Sequence, residues 1–98
     1  MAILTHIRPR FRCGELIITE HVGALIRRRH FNPKPFLVRH LTGDWGDVGQ
    51  SKRRANDTAV LNGGPLLSSF DIARDHTLCI MTESDRRTTT LFLTEDPL

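Results

Sequence analysis

Tyrosine is absent from the 98 residues, tryptophan occurs once, and aromatic residues make up only 6% of the chain. A platform that binds single-stranded nucleic acid by stacking needs several aromatic faces, so that mode of binding is excluded. Cysteine is scarce as well, with Cys13 and Cys79 in neither a metal-ligand spacing nor a redox pair. Cys79, inside LCIM, reads as a small buried hydrophobe, and both thiols are expected to stay reduced. No apolar run approaches the roughly 20 residues of a membrane helix. The opening MAILTHIRPRFR has an apolar start of only about four residues before basic residues follow, which is not a secretion signal. A cytoplasmic protein without membrane contact is therefore expected. Neither the phosphate-cradling Gly-x-x-x-x-Gly-Lys loop nor Gly-x-Gly-x-x-Gly occurs, and the carboxylates form no evident magnesium set. No metal and no cofactor is expected.

What is present fits one small globular domain: 39% hydrophobic and 26% charged residues, enough for a modest core. The net charge of +3 leans toward polyanions, and its distribution is uneven. RPRFR, RRRH and KRR precede residue 55, whereas acids gather near the C-terminal end in ESD and TEDP. Arg27, Arg28, Arg29, Lys52, Arg53 and Arg54 are the candidate contacts to RNA or DNA. The plainer alternative is that these runs are solvated helix faces.

Pattern along the chain predicts an α+β fold. Residues 1–13 read as a partly ordered arm and residues 14–98 as a single α+β domain. GELIIT has the β-branched run of a short strand. Thr19 then offers an N-cap to a helix with Val22, Leu25 and Ile26 on one face and three arginines in its last turn, where cations suit the dipole. Phe36, Leu37, His40 and Leu41 line a short second helix ending at Thr42-Gly43. Ser51 is the expected cap of a third helix, closed by Asn62-Gly63-Gly64. Residues 65–73, 76–83 and 88–94 read as strands separated by short spacers, Arg74-Asp75 and Asp85-Arg86-Arg87. The expectation is two or three N-terminal helices packed on a mainly antiparallel sheet of three to four strands, with residues 14–19 as the possible fourth strand.

The stretch RHLTGDWGDVGQ, residues 39–50, concentrates a histidine, two aspartates, three glycines and the only tryptophan. Two readings are open. In the structural one, Asp44 or Asp47 accepts local backbone N–H groups as in an Asx-turn, Trp45 plugs a gap between helices and sheet, and His40 sits at the core edge. In the chemical one, His40 exchanges protons near neutrality, and Asp44 or Asp47 fixes its tautomer. Arg86 in MTESDRRTTT then clamps a phosphate, with a hydroxyl from Thr88 or Thr90 as donor. Those parts suffice for metal-free RNA cleavage by attack of the ribose 2′-hydroxyl.

The pattern RHLTGDWGDV…RRAND…NGGPLLSSF…IMTESDRRTTTLFL resembles a family of small bacterial proteins carried on plasmids and other mobile elements, some labelled as type I restriction subunits. It is also similar to domains of phage and plasmid polyvalent proteins that are grouped with Barnase–EndoU–Colicin–RelE-like nucleases. The resemblance spans residues 14–93 and rests on His40, GDWGD, Asn56, Ser68-Ser69, Thr82 to Arg86 and Thr89-Thr90. The chain departs from the pattern at Gln50-Ser51-Lys52-Arg53, where the family carries acids, and in its Glu95-Asp96-Pro97-Leu98 end. The resemblance implies either a non-catalytic accessory module of a mobile element, bound to a host protein, a mobile-element protein or nucleic acid, or a small metal-independent ribonuclease. A third possibility is a toxin-like or antitoxin-like subunit, monomeric or a homodimer joined through its sheet edge. Fold does not by itself choose among them.

Overall fold

The computed structural model describes residues 8–73 and 75–96. The first seven residues of the expected arm, Arg74 of the expected spacer, and Pro97 and Leu98 lie outside the described residues. The chain runs β1 (Glu15–Ile18), α1 (Glu20–Arg29), α2 (Lys34–Leu41), α3 (Gln50–Asn62), β2 (Leu66–Ala73), β3 (His76–Thr82) and β4 (Thr88–Leu93). The four strands form one sheet in the order β1-β4-β3-β2.

The α+β architecture has three helices, and its sheet is mixed. β2–β3 and β3–β4 are antiparallel hairpins, but β1 pairs parallel with β4, and the helices follow β1 rather than opening the domain. Two of the three pairings are antiparallel and residues 15–18 do join as the fourth strand, as expected; the correction is that this strand pairs parallel, which makes the sheet mixed, and that the helices lie between β1 and the other strands in the chain. Hairpins announce themselves by short turns, whereas a parallel pair needs a long crossover that leaves no local mark. Here that crossover consists of the helices and both earlier strands.

Side-chain alternation divides the sheet into two faces. Leu66, Ser68 and Phe70 of β2 stand beside Thr82, Ile80 and Leu78 of β3, which stand beside Thr89, Leu91 and Leu93 of β4. These residues face the helices. Val22, Leu25 and Ile26 of α1 and Phe36 and Leu37 of α2 pack on Phe70, Leu78, Ile80, Leu91 and Leu93. A second cluster joins Trp45, Ala59 and Leu66, with Phe11 and Val48 against it. The expected arm is tied to the domain at two points: Arg10 N–H donates to the Leu41 carbonyl, and Phe11 stacks on Trp45.

One cap lies where expected but bonds elsewhere, and one cap position differs. The Thr19 hydroxyl donates to Asp96 at 2.7 Å instead of closing the start of α1. α3 begins at Gln50 with Gly49 in the cap position, so Ser51 is inside the helix. Thr19 keeps the expected cap position with its hydroxyl turned to a tertiary partner, whereas α3 starts one residue before Ser51.

Candidate functional site

α2 carries His40 on its inner face, in the last turn, beside Leu41. The imidazole meets the one corner of the sheet where the inward row is polar. Its Nδ1 lies 2.5 Å from the Ser68 hydroxyl and its Nε2 lies 3.0 Å from the Thr82 hydroxyl. Thr82 is 2.7 Å from Thr89, and the Thr89 hydroxyl donates to the Cys13 carbonyl at 2.6 Å. His40, Ser68, Thr82 and Thr89 are each 0% exposed.

The direction of every proton in this chain follows from its last member. A carbonyl only accepts, so the Thr89 proton is committed to Cys13. Thr82 must then donate to Thr89, and His40 must donate from Nε2 to Thr82. Nδ1 of the neutral ring is left as an acceptor for the Ser68 hydroxyl. The result is a one-way chain from Ser68 through His40, Thr82 and Thr89 to the backbone of residue 13. Among the described residues, no buried side-chain nitrogen or oxygen lacks a partner.

The ring's surroundings favour the neutral form. Phe11 and Trp45 approach the imidazole edge-on, with centroids at 5.3 Å and 5.6 Å and interplanar angles of 88° and 78°. Burial, aided by the positive charge of Arg86, lowers the His40 pKa from 6.5 to about 4. Histidine at pH 7 is here an uncharged hydrogen-bonding wedge.

Arg86 sits at a left-handed backbone position, φ 61°. Its guanidinium donates to the carbonyls of Gly64 at 2.6 Å, Glu83 at 3.1 Å and Ala59 at 2.9 Å. It ties the β3–β4 turn to the C-terminal end of α3, where free carbonyls welcome a cation. It also lies 5.6 Å over the Phe11 ring.

The aspartates serve the backbone. Asp44 pairs with Arg39 at 2.7 Å and accepts the Gly46 N–H at 3.1 Å. The hydrogen bond from Arg39 holds the Asp44 carboxyl below the usual carboxylate range. Asp47 accepts the Asp71 N–H at 3.0 Å. Neither aspartate bonds His40, whose ring nitrogens are occupied by Ser68 and Thr82. Thr88 and Thr90 also lie apart: alternation in β4 turns them to the sheet face opposite Thr89 and Leu91. The hydroxyls that reach His40 are therefore those of Ser68 and Thr82 directly and that of Thr89 through Thr82; Thr89 lies one strand position from the expected Thr88 and Thr90.

GDWGD closes the free edge of β2. The Ser69 N–H donates to the Trp45 carbonyl at 3.1 Å, and the Asp47 N–H donates to the Ser69 carbonyl at 2.6 Å. Asn56 of α3 continues the seal by giving its amide to the Leu67 carbonyl at 2.8 Å and accepting the Leu67 N–H at 3.2 Å. Gly46 makes the approach possible: at φ +75°, a Cβ there would meet the Ser69 oxygen at 2.2 Å and the Phe70 ring at 2.6 Å. Trp45 is 0% exposed and donates its Nε1–H to Asp57 at 2.9 Å. Asn56, Asp57, Ser68, Thr82 and Thr89 were not among the candidate site residues. The signal for the last three was their parity: each shares the inward phase of neighbouring leucine, isoleucine or phenylalanine, so each is a polar group on a buried face that needs a partner.

The basic runs sit on different helices. α1 packs on β4 and α3 packs on β2, with β3 between them. Arg27, Arg28 and Arg29 are exposed, as are Lys52 and Arg54. Arg53 instead donates to the Gly46 carbonyl at 2.9 Å and the Val48 carbonyl at 3.2 Å, holding the loop. Among the described residues no group of three His, Cys, Asp or Glu side chains is placed to hold a metal ion, and no helix is long and apolar enough to cross a membrane. Protein-family models, curated proteins and solved structures give no match to the chain.

Proposed function

We propose that the chain is a non-catalytic accessory module of a mobile genetic element, working in the cytoplasm by binding a macromolecular target. The observation that carries this reading is the sealed state of His40. A general acid–base must exchange its proton with substrate or solvent. His40 is 0% exposed, has both nitrogens engaged and holds a pKa near 4. The carbonyl-bound guanidinium of Arg86 supports the same conclusion, since it has a structural task in place of a phosphate. The mobile-element part of the reading rests on the GDWGD…TESDR motif.

Nucleic acid is the target that the exposed charge favours. Arg27, Arg28 and Arg29 form one contact and Lys52 and Arg54 a second, on separate parts of the helix layer. The test combines cleavage and binding on a mixed-sequence RNA and a DNA duplex. Wild type is expected to leave RNA intact from about pH 5 to 8, with or without chelator. Duplex binding is expected to weaken with salt, the log–log slope falling by about 0.9 for each phosphate contact removed by Arg-to-Gln changes. Metal-independent cleavage that disappears in His40→Ala would replace this reading with the ribonuclease. Absence of binding at low salt would leave a protein as the target.

A further inference from the structure

The outer strand β1 is as open as β2 is closed. Leu16, Ile17 and Ile18 are 42%, 41% and 41% exposed. Glu15 N–H donates to Arg87 and Thr19 N–H to Leu91, so the odd-numbered residues of β1 direct their backbone groups at β4. Leu16 and Ile18, of the other parity, turn their N–H and C=O groups away from the sheet. On the helix side, a groove of about 470 Å³ adjoins this edge, lined by Leu16, Ile18, Ile26, Phe31, Leu37 and Leu91 among others.

We infer that β1 pairs with β1 of a second copy of this chain, antiparallel about a two-fold axis through Ile17, to make one continuous eight-stranded sheet. This inference is independent of whether the module is catalytic. The backbone parity selects the register. With Ile17 opposite its own copy, Leu16 of one protomer faces Ile18 of its partner, and both bring outward N–H and C=O groups to the seam. Each such pair exchanges two hydrogen bonds, while Ile17 meets Ile17 in the closer, non-hydrogen-bonded pairing. A shift by one residue would set outward groups against inward-bonded ones.

Charge favours the same arrangement. Arg12 precedes the strand and Glu20 follows it, and both are exposed. Antiparallel pairing brings Arg12 of one copy to the end of the seam that holds Glu20 of the other and sets the exposed Glu15 opposite the uncharged Thr19. Parallel pairing would set like on like. A four-residue seam is small beside the roughly 800 Å² per partner of a stable interface. The groove extends it, because Leu16 and Ile18 of both copies stand on the helix side of the joined sheet. Isologous pairing also closes on itself and ends the exposure of both edges in one step.

Sedimentation velocity on the full chain from about 1 to 200 µM tests the proposal. The expected result is a monomer–dimer equilibrium in the micromolar range. Ile17→Lys apposes two like charges and is expected to raise the dimer dissociation constant at least ~10-fold while leaving the circular dichroism spectrum unchanged. Oxidative cross-linking gives a second readout that does not rely on that variant. Ile17→Cys should form a disulfide dimer on a non-reducing gel, whereas Leu16→Cys, which does not face itself, and wild type, with Cys13 and Cys79 only, should not. A monomer across the whole range overturns the proposal. So does a dimer that Ile17→Lys leaves intact and in which Ile17→Cys fails to cross-link.

Discussion

The two edges of the sheet solve the same chemical problem in opposite ways. Along β2, the outward backbone groups of Leu67, Ser69 and Asp71 are met by Asn56, by the Trp45–Asp47 loop and by the Asp47 carboxylate. Along β1, the outward groups of Leu16 and Ile18 meet no backbone partner among the described residues and lie beside exposed apolar side chains. An unpaired strand edge is a template for another chain, and proteins commonly cover it. One edge here is sealed by some of the most chemically suggestive residues of the sequence. Residues of catalytic type, set among glycines, can therefore be edge closure; what decides is whether their polar atoms are already spoken for.

The contrast breaks most visibly at the sealed edge. Trp45→Ala removes the plug that holds the loop and should cost about 3–5 kcal/mol in urea unfolding. Gly46→Ala belongs to the same class. Left-handed backbone strain alone is worth about 1–3 kcal/mol, and the Cβ collision with Ser69 and Phe70 adds to it. A loss below about 1 kcal/mol in both variants would mean that the loop is not a structural seal.

Acid should loosen the same corner. His40 has a pKa of about 4 in the folded chain against about 6.5 unfolded, so the folded state binds its proton less readily. The contribution is fully present above about pH 6.5 and drains away as pH falls toward 4, a loss of about 3 kcal/mol. Protonation would also require Ser68 to turn from donor to acceptor. Unfolding free energies at pH 7, 5.5 and 4 should decline in wild type, and His40→Gln should flatten that decline. An unchanged slope in His40→Gln would assign the acid sensitivity elsewhere.

Asn56→Leu keeps the shape of the seal and deletes both of its hydrogen bonds to Leu67. The expected cost is about 1–3 kcal/mol in urea, together with faster amide exchange at Leu67. The smallest effect belongs to the open edge: Ile17→Lys, measured on the monomer at low concentration, should change stability by less than about 0.5 kcal/mol. A cost equal to that of Asn56→Leu would erase the distinction between the edges.

Much of this was legible in the residues. Helical spacing marked Val22, Leu25 and Ile26 and placed His40 and Leu41 on an inner face, and the three later strands appear within a residue or so of their expected bounds. The burial of Trp45 and the Asx-type role of Asp44 also follow from local chemistry. The partners of His40 do not, because Ser68 lies 28 positions away and Thr82 lies 42. Local spacing suggested Asp44, four residues on, whereas the fold supplied hydroxyls from two strands. The choice among the threonines was decidable in principle: Thr89 shares parity with Leu91 and Leu93, and Thr88 and Thr90 do not. The parallel direction of β1 left no trace, since its partner strand comes from the far end of the chain.

That last separation bears on how the protein is made. The hydroxyl of Thr89 reaches the carbonyl of Cys13 across 76 positions, and β1 has nothing to pair with until β4 exists. A ribosome extending the chain at about 5–20 residues per second leaves β1 waiting for several seconds. Through that interval the helices and the β2–β3 hairpin can form, but β1, with Leu16, Ile17 and Ile18, has no strand of the sheet beside it. β1 can dock only once β4 has been made, as expected where distant contacts dominate and loop closure slows the step that joins them.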